Sequence, residues 1–373
     1  QMLNFSSFSR RVTPRSSLLF SGLLFTAIAT SGCGDDMNVE PHVHIGPGGT
    51  GNYELIESDV ERNMTPDASA DELNAFMLGN HELTVALHQT AIEAGTNAML
   101  STYSVRSAFS LLYPGARGET AEEIATVMGF DLDSDRALNA INAADLTLQS
   151  RNLEADAVNE LEALQLHTAN AFWSQTGAQW NDQYLDALAL NLGSPVYATN
   201  FSADPEASRG VINGWVEEQT QDRIQNLLPA GSITAGTAAV LTNAIYFKAP
   251  WASKFEAERT RDQDFTLLDG TTASVPMMAQ TTGIGYAQGE NYTAAEMPFR
   301  NGQLAMVFIL PENEDFQAFE DGLTAESLSE ITDGLEPSFA DVRLPKFEFE
   351  TSASLATPLQ SLGLQRIFAG GDL

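Results

Sequence analysis

The chain has 373 residues, a single cysteine, and 50 Asp and Glu against 18 Lys and Arg, for a net charge of −32. So large an acidic excess leaves no clustered positive charge for a phosphate-binding groove and excludes nucleic acid as a partner; it bears on solubility and association rather than on fold. The length suits one large domain or two ordinary ones with a sizeable core, and a lone Cys33 excludes an internal disulfide.

Arg10, Arg11 and Arg15 precede the apolar run 18–29 (LLFSGLLFTAIA), which is too short to span a bilayer, and Thr30-Ser31-Gly32 then lead to Cys33. The pattern predicts an export leader over residues 1–32. It resembles a bacterial lipoprotein signal, in which Cys33 becomes the lipidated first residue and anchors the chain to a membrane; Thr30 stands where such signals usually carry leucine. The other reading is an ordinary secretory signal with an incidental cysteine. Either one places the protein outside the cytoplasm, at the cell envelope or beyond.

Residues 33–71 read as an acidic tether. They contain Gly46-Pro47-Gly48-Gly49, and between Asp35 and Asp67 eight acids stand against Arg62 alone. Such a segment buries too little apolar surface to offset its ordering entropy, and its like charges extend it. His42 and His44 belong to this linker and are not read as metal ligands.

Folding signals begin near Asp71. Leu73, Phe76, Met77, Leu83, Leu87 and Ile92 recur at helical spacing. A short strand is expected at Ala98-Met99-Leu100 and a helix over 103–113. Thr120-Ala121-Glu122-Glu123 reads as a capping box opening a helix to Met128. Strands follow over 164–174 and 195–201, with helices over 182–192 and 206–228. The run Leu241 to Phe247 is apolar, β-branched and aromatic, as a strand buried on both faces would be, except for Asn243 at its centre. A buried amide without partners costs a few kcal/mol, so Asn243 asks for a reason. Strands over 292–299 and 304–310 flank Asn301-Gly302, a strong hairpin signal, and the second is apolar enough to lie inside a sheet buried on both faces. Helices over 316–319, 325–332 and 354–362 and a strand over 342–349 complete an α+β pattern.

The chain holds no G-x-S-x-G elbow, no P-loop and no C-x-x-C, and His81-Glu82 is not followed by the second histidine of a zinc protease. His88 and His167 sit in apolar helix and strand contexts and read as structural. Neither catalysis nor a cofactor is expected.

A set of segments in order along the chain is similar to the serpin family of protease inhibitors. They are Asn97 to Val105 (NAMLSTYSV), Tyr113 to Thr120 (YPGARGET), Asn170-Ala171-Phe172-Trp173, Asn213 to Ile224, Leu241 to Met278, Leu344-Pro345-Lys346-Phe347 and Leu359 to Phe368. Thr102 stands where the family usually has proline, and Asp222-Arg223 where it has Gly-Lys. The resemblance spans 72–373. It implies a serpin fold of about eight to nine helices, a large central mixed sheet and further sheets.

The resemblance also implies roles. Ser101, Ser104 and Asn243 fall at the shutter, a polar cluster beneath the two central strands that part to admit an inserted loop, and Trp251 falls at the breach where insertion starts. Static core residues are the other reading of these positions. The implied activity is inhibition, as a monomer, of a target protease of serine or cysteine type. The alternative is a non-inhibitory member serving as a surface binding protein. The family's next sheet strand, hinge, reactive loop and last strands, with the reactive-site bond and the histidine that completes the shutter, are expected after Leu373, leaving sheet edges in 1–373 without partners.

Overall fold

A computed structural model describes residues 2–4, 24–28 and 53–369, apart from 221, 313–315 and 350–353. In chain order its elements are β1 (Met2–Asn4), β2 (Leu24–Ile28), β3 (Glu54–Ile56), α1 (Ala70–Ala91), α2 (Thr102–Leu112), α3 (Gly118–Met128), α4 (Ser134–Gln149), β4 (Gln165–Gln175), α5 (Asp182–Leu192), β5 (Val196–Thr199), α6 (Pro205–Gln219), β6 (Ala239–Lys248), β7 (Arg261–Thr266), β8 (Thr272–Gln288), β9 (Tyr292–Pro298), β10 (Ala305–Pro311), α7 (Phe316–Asp321), α8 (Ala325–Asp333), β11 (Glu336–Pro345) and α9 (Ala356–Ser361). The architecture is α+β, as expected.

Two mixed sheets organise it. One has the order β2-β6-β4-β5-β3, the other β1-β11-β8-β9-β10 with β7 also on β8. Among the described residues only β4–β5 and β1–β11 pair in parallel. The β6-β4-β5 sheet is buried on both faces because each strand alternates large apolar groups to either side. Phe172, Leu241 and Val196 face a core built with Leu87, Phe109, Leu111, Leu138 and Leu188 of the helices. Trp173, Ala171 and Val240 face Ile212, Trp215 and Val216 of α6 on the other side. Leu24–Ile28, within the run read as a leader, runs antiparallel along the outer edge of β6, with Leu24 opposite Asn243.

Several boundaries differ from expectation for local reasons. Ala98-Met99-Leu100 is irregular, not a strand. α3 starts at Gly118 without a side-chain cap, so Thr120 sits buried in its first turn rather than at its N-cap. α6 stops at Gln219, where the Thr220 hydroxyl donates to Val216 O at 2.7 Å and the chain turns; Leu227 and Leu228 are buried in the core without being helical. β10 is an edge strand, half-buried and not enclosed, and β11 begins earlier and ends at Pro345. α4 is a helix the apolar pattern does not announce.

The largest correction concerns the tether. Its second half, 53–69, belongs to the folded body: β3 extends the sheet beyond β5 and Ile56 is buried in the main core. Composition concealed this because the contacts are few and specific. Cys33 and the first half of the tether lie outside the described residues. Elsewhere α1 crosses the turn after α3 at such close range that a Cβ on Gly79 would sit 2.5 Å from Gly129 O. Among the described residues no helix is long and apolar enough to cross a membrane.

Candidate functional site

The site is built on β4, β6 and α2. β4 and β6 run antiparallel in a register that sets Asn170 opposite Asn243. Around this pair the strands are mostly apolar (169–173, ANAFW, and 239–241, AVL), and the two amides turn to each other: Asn243 Nδ2 donates to Asn170 Oδ1. Asn243 is 1% exposed, and its Oδ1 has no hydrogen-bond partner among the described residues. The pair is thus half satisfied. An orphaned acceptor in a buried sheet costs about 1–3 kcal/mol, and a polar pin that can exchange partners suits strands that part and reseal.

α2 packs against β4 and β6. Ser101 is its N-cap, accepting from Ser104 N at 3.2 Å, and the Ser104 hydroxyl donates to Ser101 Oγ at 2.8 Å. The expected partnership of these serines with Asn243 is therefore not what holds the amide. Among the described residues the serines bond to each other and Asn243 bonds to Asn170. The reason is geometric: the register places an amide directly across the ladder, while the helix start uses its own hydroxyls to satisfy free N–H groups.

Trp251 lies just past the end of β6. Its ring stacks on Phe299 with centroids 4.6 Å apart and planes 16° from parallel, and Phe255 and Phe308 stand further out. Ala252 N donates to Pro298 O at 2.9 Å and Arg300 N to Pro250 O at 2.8 Å. Trp251 therefore joins the end of β6 to the β9–β10 hairpin of the other sheet. It sits where the two sheets meet.

Two polar side chains of this region were not singled out by the sequence. Asn170 had a signal, the one amide of the stretch 169–173 (ANAFW), mirroring Asn243. Arg106 had one too, a charge on an apolar helix. It is 1% exposed and donates to Phe76 O at 2.5 Å, Met128 O at 2.7 Å and Gly129 O at 3.0 Å. Its guanidinium lies 4.2 Å from the Phe76 ring centre. Burial pushes its pKa down to about 10. It ties α2 to α1 and to the end of α3, and so fixes the helix on which the sheet rests. The histidines serve packing: His81 Nδ1 bonds Ser329 Oγ at 2.9 Å, His88 Nε2 meets Glu320 at 3.3 Å, and His167 stacks on Tyr246. No His, Cys, Asp and Glu cluster among the described residues is arranged to hold a metal.

Comparison with known proteins identifies the family and the fold. A family model described as Serpin (serine protease inhibitor) matches residues 79–373. An uncharacterised serpin-like protein of Thermococcus kodakarensis is 33% identical over 323 residues, which cover 87% of this chain and 70% of that one. Human Serpin B4 is 34% identical over 285 residues, covering 74% of this chain and 73% of its own. Among solved structures, ovalbumin from emu aligns with a TM-score of 0.71 at 24% identity, over 80% of each chain, a likeness of fold.

Proposed function

The chain belongs to the serpin family, and from that premise we propose that it inhibits a serine-type protease by conformational trapping. The target's nucleophile attacks a peptide bond of a reactive loop, forming an acyl-enzyme and freeing the amine on the far side of that bond. The loop then enters the five-stranded sheet beside β6 as a new strand, at the edge that Leu24–Ile28 of the leader run vacates on processing. Strand addition supplies main-chain hydrogen bonds and releases stored strain, serpin loop insertion being a known instance of both. The native fold is then a kinetically held state short of its most stable one. The observation that carries this reading is the buried Asn243 amide, bonded to the half-buried Asn170 and with its Oδ1 unpartnered among the described residues, which leaves an acceptor on β6 for a further donor. Trp251 at the junction of β6 with the β9–β10 hairpin supports a gate at that end.

The test mixes the full-length protein with a panel of serine and cysteine proteases. The expected result is a complex with one serine protease that survives boiling in SDS, and a loop-cleaved form that melts higher than the intact protein. If no such complex forms and cleavage leaves the melting temperature unchanged, the inhibitor reading fails and a non-inhibitory binding role takes its place. The proposal also carries the export reading: Cys33 is the lipid attachment point that holds the inhibitor on a membrane surface. Cys33→Ala should then move the protein from the membrane to the soluble fraction.

A further inference from the structure

Residues 53–69 precede the region matched by the family model, yet they are fastened to the body at intervals of a few residues. The Tyr53 ring meets Trp173 of β4 edge-on at 5.7 Å and Tyr197 of β5 at 5.5 Å. Those two rings carry Trp215 of α6, at 5.8 and 5.4 Å. β3 then pairs with β5. Beyond it the Ser58 hydroxyl donates to Asp186 of α5, and Asn63 N donates to the α5 carbonyl of Leu190 at 2.8 Å. Arg62 lies between α5 and α4: Nη2 reaches Asp145 Oδ2 at 2.6 Å and Nε reaches Asn142 Oδ1 at 3.0 Å. Asp67 pairs with Arg136 of α4, and Ser69 caps α1.

Asp145 is the hub. Besides Arg62 it accepts from Tyr103 of α2 at 2.9 Å and from Thr168 of β4 at 3.5 Å. The segment is thus bonded at one end to β5 and the α6 contact, and at the other to a carboxylate shared by the helical layer and β4. Surface ion pairs contribute little, but the Arg62 and Asp145 side chains are only 18% and 15% exposed, and the segment also adds a strand and an aromatic ring to the core.

We propose that residues 53–69 are a clamp that pins the β5 edge and α6 to the helical layer and sets how readily the five-stranded sheet rearranges. A strand can enter beside β6 only if the β4–β5 side, with α6 on it, shifts against α2 and α4, and the clamp bridges those two bodies. Its consequence for inhibition rests on the trapping mechanism proposed above; the clamp itself does not.

Hydrogen exchange read by mass spectrometry tests it in the full chain, comparing the native protein with Arg62→Ala and with Tyr53→Ala/Arg62→Ala. Amides of β5 and α6 should exchange about tenfold faster in the variants, equivalent to about 1.4 kcal/mol of local opening free energy, while the β9–β10 hairpin keeps its native rate. In an inhibitory protein the variants should also lose activity faster on warming. Unchanged exchange in β5 and α6, or an equal increase in both sheets, overturns the clamp. A protein that traps no protease yet shows the local increase refutes the inhibitor reading and retains the clamp. If the double variant does not fold, Arg62→Ala alone decides, because it leaves Tyr53 and β3 in place.

Discussion

The Asn170–Asn243 pair yields a prediction in which the sign, not only the size, is informative. In Asn170→Leu, the Asn243 side chain loses the one hydrogen bond it makes among the described residues, while its Oδ1 stays unbonded among them. The lost bond is worth about 1 kcal/mol and the newly orphaned donor about 1–3 kcal/mol, against which added apolar burial returns about 1 kcal/mol. The single variant should be destabilised by about 1–3 kcal/mol, and Asn243→Leu, which removes the orphan as well, by less. Replacing both removes every unsatisfied group and leaves two apolar side chains of similar shape, so Asn170→Leu/Asn243→Leu should lie within about 1 kcal/mol of native or above it. Equilibrium urea unfolding of the four proteins closes the cycle, with an expected coupling of about 2 kcal/mol. Additive losses, with the double variant the least stable, would refute the reasoning. The double variant should also trap protease poorly despite its stability, since the exchangeable polar pin is gone.

Two further perturbations follow from the helical layer. Arg106→Met strips three buried carbonyls of their donor; bonds to a charged group contribute about 1.5–3 kcal/mol each, and relief of the buried charge returns part of that, so a net loss of about 2–4 kcal/mol is expected in the same unfolding assay, and a loss below about 1 kcal/mol would contradict it. The Glu72 carboxylate is held down at about 2 from its ordinary 4.5 by its hydrogen bond to Arg136 and those to Ser69. A depressed acid contributes stability that is complete above pH 4.5 and is lost as pH falls toward 2. Glu72→Gln should therefore flatten the fall of melting temperature over that window, and an unaltered profile would remove Glu72 from the acid response.

Much of the fold was legible because local signals agreed with tertiary demands. α5 spans the residues its apolar spacing predicts, with Asn181 capping one end and Gly193 in a left-handed conformation at the other. Asn301 and Gly302 take the positive φ values that their dipeptide promises. What was missed is equally physical. α4 buries Asn139 and Asn142 beside Ala137 and Leu138, and those amides bond to Asp67 and Asn63 of the clamp. A helix whose buried face is polar has no clean apolar period, and its partners lie some seventy residues away in a stretch that composition assigns to a linker. Asn243 was legible as an anomaly, but its partner was not, because cross-strand register is set by the ladder as a whole.

These features together make the five-stranded sheet mechanically uneven. On the β5 side an added strand, an aromatic group of Tyr53, Trp173, Tyr197 and Trp215, and the Asp145 hub bind the sheet to both of its flanking layers. On the β6 side the sheet carries an amide whose Oδ1 has no partner among the described residues. The outer edge of β6 is covered by Leu24–Ile28, within the run read as a leader, so that edge opens to another strand once the leader is removed. Opening free energy is distributed accordingly, since a region with more specific bonds and buried rings opens less often. A strand entering this sheet therefore meets least resistance at β6, and rearrangement of the β4–β5 side is the step that the clamp governs. The two variant series separate those contributions: the asparagine pair should alter what happens at β6 without changing β5 exchange, and the clamp should do the reverse.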